Sequence, residues 1–206
     1  GAANGGARKL YPASADVAGL DTAGIEILNF QSNLREQMLK SEQVEGVFGY
    51  VNTIRFSAKL SGMNPDEDIR FINFGDYGMD LYSNGIILSK KLVAENPELV
   101  KGMVWAINKG VQDTLADLDA AVESVARREP LINKAVEKER LIAPLQDEMN
   151  HPELAETGLG AVSPDRFKES IDLVVKADGL GRTPAASEIF TDAFLPSADE
   201  RIYKLL

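Results

Sequence analysis

Cysteine is absent from the chain and histidine occurs once, and these two facts exclude several kinds of site. Without cysteine the chain can form no disulfide bond, no thiolate metal site and no cysteine nucleophile. The one histidine, His151, precedes Pro152 in a segment that we interpret as a solvated loop between two helices. A histidine-based catalytic triad or a multi-histidine zinc site cannot be built within this chain. We therefore expect no bound metal and no cofactor.

Basic residues are outnumbered and long apolar runs are missing. The chain has 22 lysine and arginine residues against 32 acidic residues, so its formal net charge is -10. Nucleic acid and anionic lipid both require a basic face, so neither is expected as a partner. No apolar run reaches the roughly 18 residues that a membrane-spanning helix needs, so no direct membrane insertion is expected. A hydrophobic fraction of 44% over 206 residues is sufficient for a buried core.

The N-terminal sequence is glycine-rich and begins abruptly. Residues 1–7 read GAANGGA, with no signal peptide and no initiator methionine. A glycine-rich turn that leads directly into a helix normally follows a strand. We therefore expect that a preceding segment is missing, rather than that these residues are a cloning remnant.

The first half of the chain alternates predicted helices with short predicted strands. Helical periodicity covers residues 5–18, 33–40 and 51–60, and the first of these helices is expected to stop at Gly19. Short apolar, β-rich stretches predict strands over residues 25–30, 44–50, 69–74 and 85–89. This β-α-β order predicts an α/β fold with a mostly parallel sheet that is covered by helices.

The second half of the chain is predicted to be nearly all helix. Asn96 and Pro97 make a strong helix start, and the apolar stripe behind them indicates core packing. Further helices are predicted over residues 117–128, over 131–149 with a kink or break at Pro144, and from Ser163 onward. A last short helix is expected after Thr183, and the tail from residue 196 is expected to be extended.

The best local candidate for binding is the start of the first helix. Asn4, Gly5, Gly6 and Ala7 would present free backbone N–H groups and the positive end of the helix dipole to an anion or a carbonyl oxygen. The spacing matches neither a phosphate-binding Walker loop nor a dinucleotide fingerprint. Glycine clusters at helix starts are common, so a purely structural role for this segment stays open.

Two further segments follow predicted strands and carry aromatic and polar side chains. Ligands of open α/β sheets bind beyond the carboxyl ends of the strands, which is where Tyr50 and Asn52 are predicted to lie. These side chains are suited to stack on a ring and to bond to its polar edge, although Tyr50 also fits a core and Asn52 a helix cap. Asp76 and Tyr77 follow the next predicted strand, where a plain surface turn is the alternative interpretation.

These segments together resemble the solute-binding proteins of nitrate, sulfonate, taurine and thiamine-pyrimidine ABC importers, whose relatives include thiamine-pyrimidine synthases. The matching stretches are residues 1–7; residues 34–52, which read LREQMLKSEQVEGVFGYVN; residues 76–78 before 85–88; and residues 96–100. The second stretch is similar to the family's passage of a helix, a short gap, Val-Asp-Ala-Val, an aromatic residue and asparagine. The likeness extends over nearly the whole chain through short motifs.

The resemblance implies a periplasmic-binding-protein-like (type II) fold of two α/β lobes. The first part of lobe 1 would be missing, residues 1–50 would belong to the second lobe, and residues 51–206 would cross back and complete the first. Ligand contacts would come from Asn4, Gly5, Gly6, Ala7, Tyr50, Asn52, Asp76 and Tyr77. Closure of the lobes would deliver the solute to an ABC permease. The protein would be periplasmic, or lipid-anchored outside the cytoplasm, with its signal peptide outside this chain.

The resemblance leaves the ligand and two other functions open. Aromatic and amide side chains favour a heteroaromatic ligand such as a pyrimidine or a flavin precursor, whereas a sulfonate or nitrate would depend on helix N-termini and basic residues, of which only Arg8 is near. A thiamine-pyrimidine synthase-like enzyme is one alternative, but those synthases carry a cysteine-rich motif that this chain lacks. A ligand-sensing domain of the same fold is the other. We therefore expect a binding protein and not an enzyme.

Overall fold

The computed structural model describes residues 5–201 and 205–206, and the chain divides into two compact units. Unit 1 consists of Gly1–Tyr82 and Phe167–Pro184, and unit 2 of Ser83–Arg166 and Ala185–Leu206. The predicted lobe assignment, residues 1–50 against 51–206, concerns the lobes of a two-lobe fold and stays a prediction.

The described residues form α-helices joined by short turns and extended segments. The α-helices are α1 Gly6–Val17, α2 Arg35–Lys40, α3 Val51–Leu60, α4 Pro65–Asp68, α5 Lys90–Glu95, α6 Pro97–Ala116, α7 Leu118–Ala126, α8 Lys134–Ala143, α9 Leu154–Thr157, α10 Pro164–Ala177, α11 Ala186–Ile189 and α12 Ala198–Arg201. Two 3₁₀ turns, Ser32–Leu34 and Phe74–Tyr77, and a π-helical turn, Pro144–Glu148, complete the regular structure.

Most of the predicted helices are confirmed, because their boundaries depend on local chemistry. The helices α1 and α3 agree with the predicted ranges, and α6 begins at the predicted proline. Asp117 caps α7 by accepting a hydrogen bond from the backbone N–H of Ala120. Pro144 ends α8 and starts the π-helical turn, since proline has no N–H for the helical ladder. The prediction of an extended tail was wrong over residues 198–201, which form α12.

The four predicted strands are not observed, so the α/β part of the predicted fold class is not confirmed. Over residues 25–30, 44–50, 69–74 and 85–89 the chain has no strand, and the rest of the described chain has none either. Alternating or β-branched side chains favour an extended backbone locally, but a strand also requires a neighbouring strand with which its backbone can form hydrogen bonds. In two of these segments Ile72 and Ile87 are 64% and 92% exposed, so no neighbouring element covers them.

Each unit has its own small apolar core. In unit 1 the buried apolar residues come from α1, α3, α10 and the segment after the second 3₁₀ turn; they are Ala15, Ile54, Phe56, Ala58, Met79 and Ile171. In unit 2 they come mainly from α6, α7 and α8 and the π-helical turn; they are Val100, Val122, Val136, Leu145 and Leu205. The core of unit 1 fixes α1 and α3, the two helices at whose N-termini predicted binding residues lie.

Candidate functional site

The start of α1 carries backbone N–H groups that no side chain caps. Gly5 is the N-cap residue, with φ -67° and ψ 134°, and it makes no side-chain cap because it has no side chain. The first turn contains no acidic residue, so the positive end of the helix dipole is not neutralised locally. Gly5 and Ala7 are half-buried and Gly6 is exposed, whereas Asn4 lies outside the described residues. This helix start therefore presents hydrogen-bond donors to solvent.

Tyr50 lies against this helix start, although it belongs to a different predicted site segment. It is the N-cap residue of α3, in an extended conformation that directs the chain into that helix. A β-carbon placed on Gly6 would be 3.6 Å from the Tyr50 hydroxyl oxygen. Tyr50 is 53% exposed, so its ring and hydroxyl remain accessible. The structure therefore brings together two of the segments that the sequence singled out separately.

Two more aromatic rings pack between α1 and the segment before α3. The ring centroids of Tyr11 and Phe48 are 5.0 Å apart, with an interplanar angle of 47°. Tyr11 lies about 7.5 Å along α1 from Gly6 and about 140° around the helix from it, given the helical rise and turn per residue, and Phe48 is two positions before Tyr50. Both residues are half-buried. Tyr50 thus supplies the ring surface at the helix start, and the Tyr11–Phe48 contact links α1 to the segment that carries Tyr50.

Arg35 holds the segment that carries Phe48 and Tyr50. Its Nη1 donates to the carbonyl oxygen of Phe48 at 3.2 Å, and its Nε donates to the carbonyl oxygen of Ser32 at 2.9 Å. A β-carbon on Gly49 would lie only 2.6 Å from Arg35 Nη1 and 2.8 Å from Ile54 Cδ1. Only glycine fits at this position without displacing one of those side chains. Arg35 was not among the predicted site residues. Gly49, a glycine between two aromatic residues, was the one sequence feature that indicated a close contact at this position.

Enclosed polar side-chain atoms occur on each of α1, α2 and α3. Nε of Arg8 and Oε1 of Glu36 are inaccessible to solvent and have no hydrogen-bond partner among the described residues. Asn52, a predicted site residue, is the second residue of α3 and is half-buried, and its Oδ1 is also inaccessible. Buried polar atoms are nearly always paired with protein, water or ligand.

Asp76 and Tyr77 lie at the other end of α1. They belong to the 3₁₀ turn Phe74–Tyr77, and Asn73 Nδ2 donates to Asp76 Oδ2 at 3.2 Å. The next residue, Gly78, has φ 92° and would place a β-carbon 3.0 Å from Val17 Cγ1. Val17 is the last residue of α1, about 16 Å along the helix from Gly6. Both side chains are exposed, and their role in binding stays a prediction.

Two ion pairs away from the helix start perturb the pKa of one partner. The hydrogen bond from Lys176 lowers the pKa of Asp16, and the hydrogen bond to Asp172 raises the pKa of Lys168. Within residues 5–201 and 205–206 no group of three or more histidine and acidic residues is placed to hold a metal ion. No helix in the same ranges combines the length and apolarity that a membrane crossing requires.

A family model matches the part of the chain that contains this site. The family model described as NMT1/THI5 like matches residues 3–121, more than half of the chain. The riboflavin-binding protein RibY of Chloroflexus aurantiacus is 30% identical over 123 residues, which are 57% of this chain and 34% of RibY. The aligned region thus spans about a third of that relative. No solved structure matches the chain.

Proposed function

We propose, from the premise that this chain belongs to the NMT1/THI5-like family, that it binds a small heteroaromatic solute at the start of α1. The family match and the similarity to RibY support a solute-binding role. The observation that carries the proposed site is the position of Tyr50, whose hydroxyl lies beside Gly6 at the uncapped helix start.

The chemistry of the site favours a ring with carbonyl or ring-nitrogen acceptors. Backbone N–H groups of the first turn of α1 would donate to such acceptors, because no side chain or acidic residue occupies them. The exposed ring of Tyr50 would contact a flat face of the ligand. The similarity to a riboflavin-binding protein supports a flavin or a related pyrimidine-containing ring.

An anion is the second candidate, since an uncapped helix N-terminus also suits a sulfonate or a nitrate. Arg35 does not strengthen this candidate, because its guanidinium donates to two backbone carbonyls. Arg8 and the exposed Lys9 are the nearby bases that would have to supply a charged contact. The accessible ring of Tyr50 beside the helix start favours the heteroaromatic ligand.

The remaining parts of the proposal concern capture and delivery. We propose binding without turnover, in a two-lobe α/β protein outside the cytoplasm that hands its solute to an ABC permease. Binding would shift an equilibrium between open and closed lobes. The apolar segments 69–74 and 85–89, whose exposed side chains include Ile72 and Ile87, would lie in the sheets of those lobes. Protection of their backbone amides from hydrogen exchange would support that assignment.

A ligand panel tests the proposed function. The protein is heated alone and with riboflavin, an aminopyrimidine, taurine or nitrate, and the change in Tm is recorded. A ligand present at about a hundred times its Kd stabilises the folded state by about 2.7 kcal/mol, which is readily measured as a rise in Tm. We expect riboflavin or the aminopyrimidine to raise Tm and to be recovered chemically unchanged. A response to taurine or nitrate alone would establish the anion instead, and chemical conversion of the ligand would establish an enzyme.

A further inference from the structure

Unit 2 contains a pocket that the proposed solute site does not use. Its volume is about 250 Å³, and it lies between residues 105–112 of α6 and the segment 196–200. The lining residues are Trp105, Asn108, Lys109, Gln112, Pro196 and Glu200. The four residues from α6 recur at intervals of three or four positions, so they share one face of the helix. The pocket is therefore a feature of this helix face and not of an irregular loop alone.

Trp105 is the most informative residue of the pocket. It is the single tryptophan of the chain and is 52% exposed, although its ring is the largest apolar side chain available for a core. An exposed indole in a concave site offers a flat apolar face for stacking and a ring N–H for hydrogen bonding.

The polar groups beside Trp105 are held in place by contacts within unit 2. Nε2 of Gln112 donates to the carbonyl oxygen of Glu200 at 2.7 Å and to Asn108 Oδ1 at 3.3 Å. These two bonds fix the orientation of the Gln112 amide and direct its NH₂ group to protein. Asn108 is itself only 7% exposed, so the amide pair is ordered at the pocket wall. The remaining carbonyl oxygen of Gln112 is then positioned as an acceptor.

The charged groups of the pocket are already engaged. Lys109 forms an ion pair with Asp113, and Oε2 of Glu200 accepts hydrogen bonds from the backbone N–H and the hydroxyl of Ser197, the latter at 2.6 Å. An anionic ligand would find the one lysine of the lining, Lys109, already paired with Asp113, and it would lie beside the carboxylate of Glu200. The pocket therefore suits a neutral molecule rather than an anion.

We propose that this pocket is a second binding site, for a small neutral ring molecule with an apolar face and hydrogen-bonding groups at its edge. The apolar face stacks on Trp105, and the edge groups bond to the ordered amides of Gln112 and Asn108. A nucleobase and a pyranose sugar share this chemistry. The inference rests on residues of unit 2 alone and so does not depend on the site at α1.

The single tryptophan gives a direct readout. Fluorescence of Trp105 is followed while uracil, adenine or glucose is added up to millimolar concentration, and affinities are measured by calorimetry. We expect a saturable change with at least one of these probes. Uracil or adenine as the active probe identifies a nucleobase, and glucose identifies a sugar. No saturable change with any of the three would overturn the proposal.

Two variants and one control locate the binding. Trp105→Ala is expected to weaken binding of the active probe at least fivefold, and Trp105→Phe, which keeps a ring, by less. Leu99→Ala is the matched control, because Leu99 is 62% exposed on the same helix and does not line the pocket. Circular dichroism confirms that each variant is folded. Equal affinities for the original protein and Trp105→Ala would show that the probe binds elsewhere and would contradict the proposal.

Discussion

The guanidinium group of Arg35 donates to the carbonyl oxygen of Phe48 and occupies the space beside Gly49, where a β-carbon would otherwise lie. One hydrogen bond across unit 1 thus sets the path of the chain between the two aromatic residues of the site. The position of Tyr50 beside Gly6 follows from this path, because Tyr50 is the next residue and starts α3.

The first prediction concerns Gly49. A β-carbon there would lie 2.6 Å from Arg35 Nη1 and 2.8 Å from the buried Ile54 side chain, so Gly49→Ala should lower the free energy of unfolding by about 1–3 kcal/mol. Gly46→Ala is the matched control, because no atom lies within 4 Å of its β-carbon position. Urea denaturation measures the free energy of unfolding of both variants. A Gly49→Ala protein as stable as Gly46→Ala would contradict the packing described around Arg35.

The second prediction separates stability from binding at Gly6. A β-carbon at Gly6 meets the Tyr50 hydroxyl at 3.6 Å, an ordinary contact, so Gly6→Ala should be neutral or should stabilise the fold by up to about 1 kcal/mol. The added methyl group would lie between the helix start and Tyr50 and should weaken ligand binding severalfold. Gly110→Ala is the control, because its β-carbon would lie in open space on α6. It should change the free energy of unfolding as Gly6→Ala does, but it should leave the ligand affinity unchanged. Equal affinities for the two variants would remove Gly6 from the site.

The third prediction concerns the ion pair between α1 and α10. Lys176 Nζ lies 2.7 Å from Asp16 Oδ2, and this hydrogen bond and charge hold the pKa of Asp16 below its ordinary value. The pair therefore contributes stability above the unfolded-state pKa of Asp16, and the contribution is lost as the pH falls through the lowered value. Both groups are exposed, so the contribution is small and is screened by salt.

An NMR titration of the Asp16 carboxyl carbon tests this relationship. Lys176→Met should raise the pKa of Asp16 towards its ordinary value. Lys168→Met, on the same helix but paired with Asp172, should leave it unchanged. Identical titration curves for the original protein and Lys176→Met would show that the ion pair does not form in solution.

The fourth prediction concerns Arg201 in unit 2. Its side chain is buried and donates to the carbonyl oxygens of Pro196, Thr157 and Leu159 at 2.8, 2.9 and 3.1 Å. Arg201→Met keeps much of the apolar stem but leaves these carbonyls without their donor, so it should cost about 3 kcal/mol of unfolding free energy. Arg127→Met, at the exposed C-cap position after α7, should change stability by less than about 0.5 kcal/mol. A similar denaturation midpoint for both variants would contradict the role of Arg201.

The sequence was sufficient to predict the helices because their signals are local. Pro97 and Pro144 mark a helix start and a helix break through their own backbone chemistry. A strand depends on a neighbouring strand to pair with. Ile72 and Ile87 are β-branched but exposed, so β-branched residues alone do not make their segments into strands. The tail was misjudged because the contacts that hold Arg201 come from residues distant in sequence.

The candidate site was predictable in part. Gly6 was identified from its position at a helix start and Tyr50 from its position after a predicted strand, but their proximity depends on how α1 and α3 pack in unit 1. The role of Arg35 was not predicted, because an arginine on a short helix ordinarily points to solvent. The residues next to it in sequence do not indicate its hydrogen bond to the carbonyl oxygen of Phe48. Asp76 and Tyr77 were grouped with the site by a shared pattern, whereas they lie at the opposite end of α1.

The measurement that most directly tests the central claim is calorimetric titration of riboflavin into the original protein, Tyr50→Phe and Tyr50→Ala. The account predicts that Tyr50→Ala weakens binding about tenfold or more, because both the ring and the hydroxyl are lost. The affinity of Tyr50→Phe should lie between those of the original protein and Tyr50→Ala, since this variant keeps the ring but loses the hydroxyl. Measurable binding with the same affinity in all three proteins would place the ligand elsewhere and contradict the account.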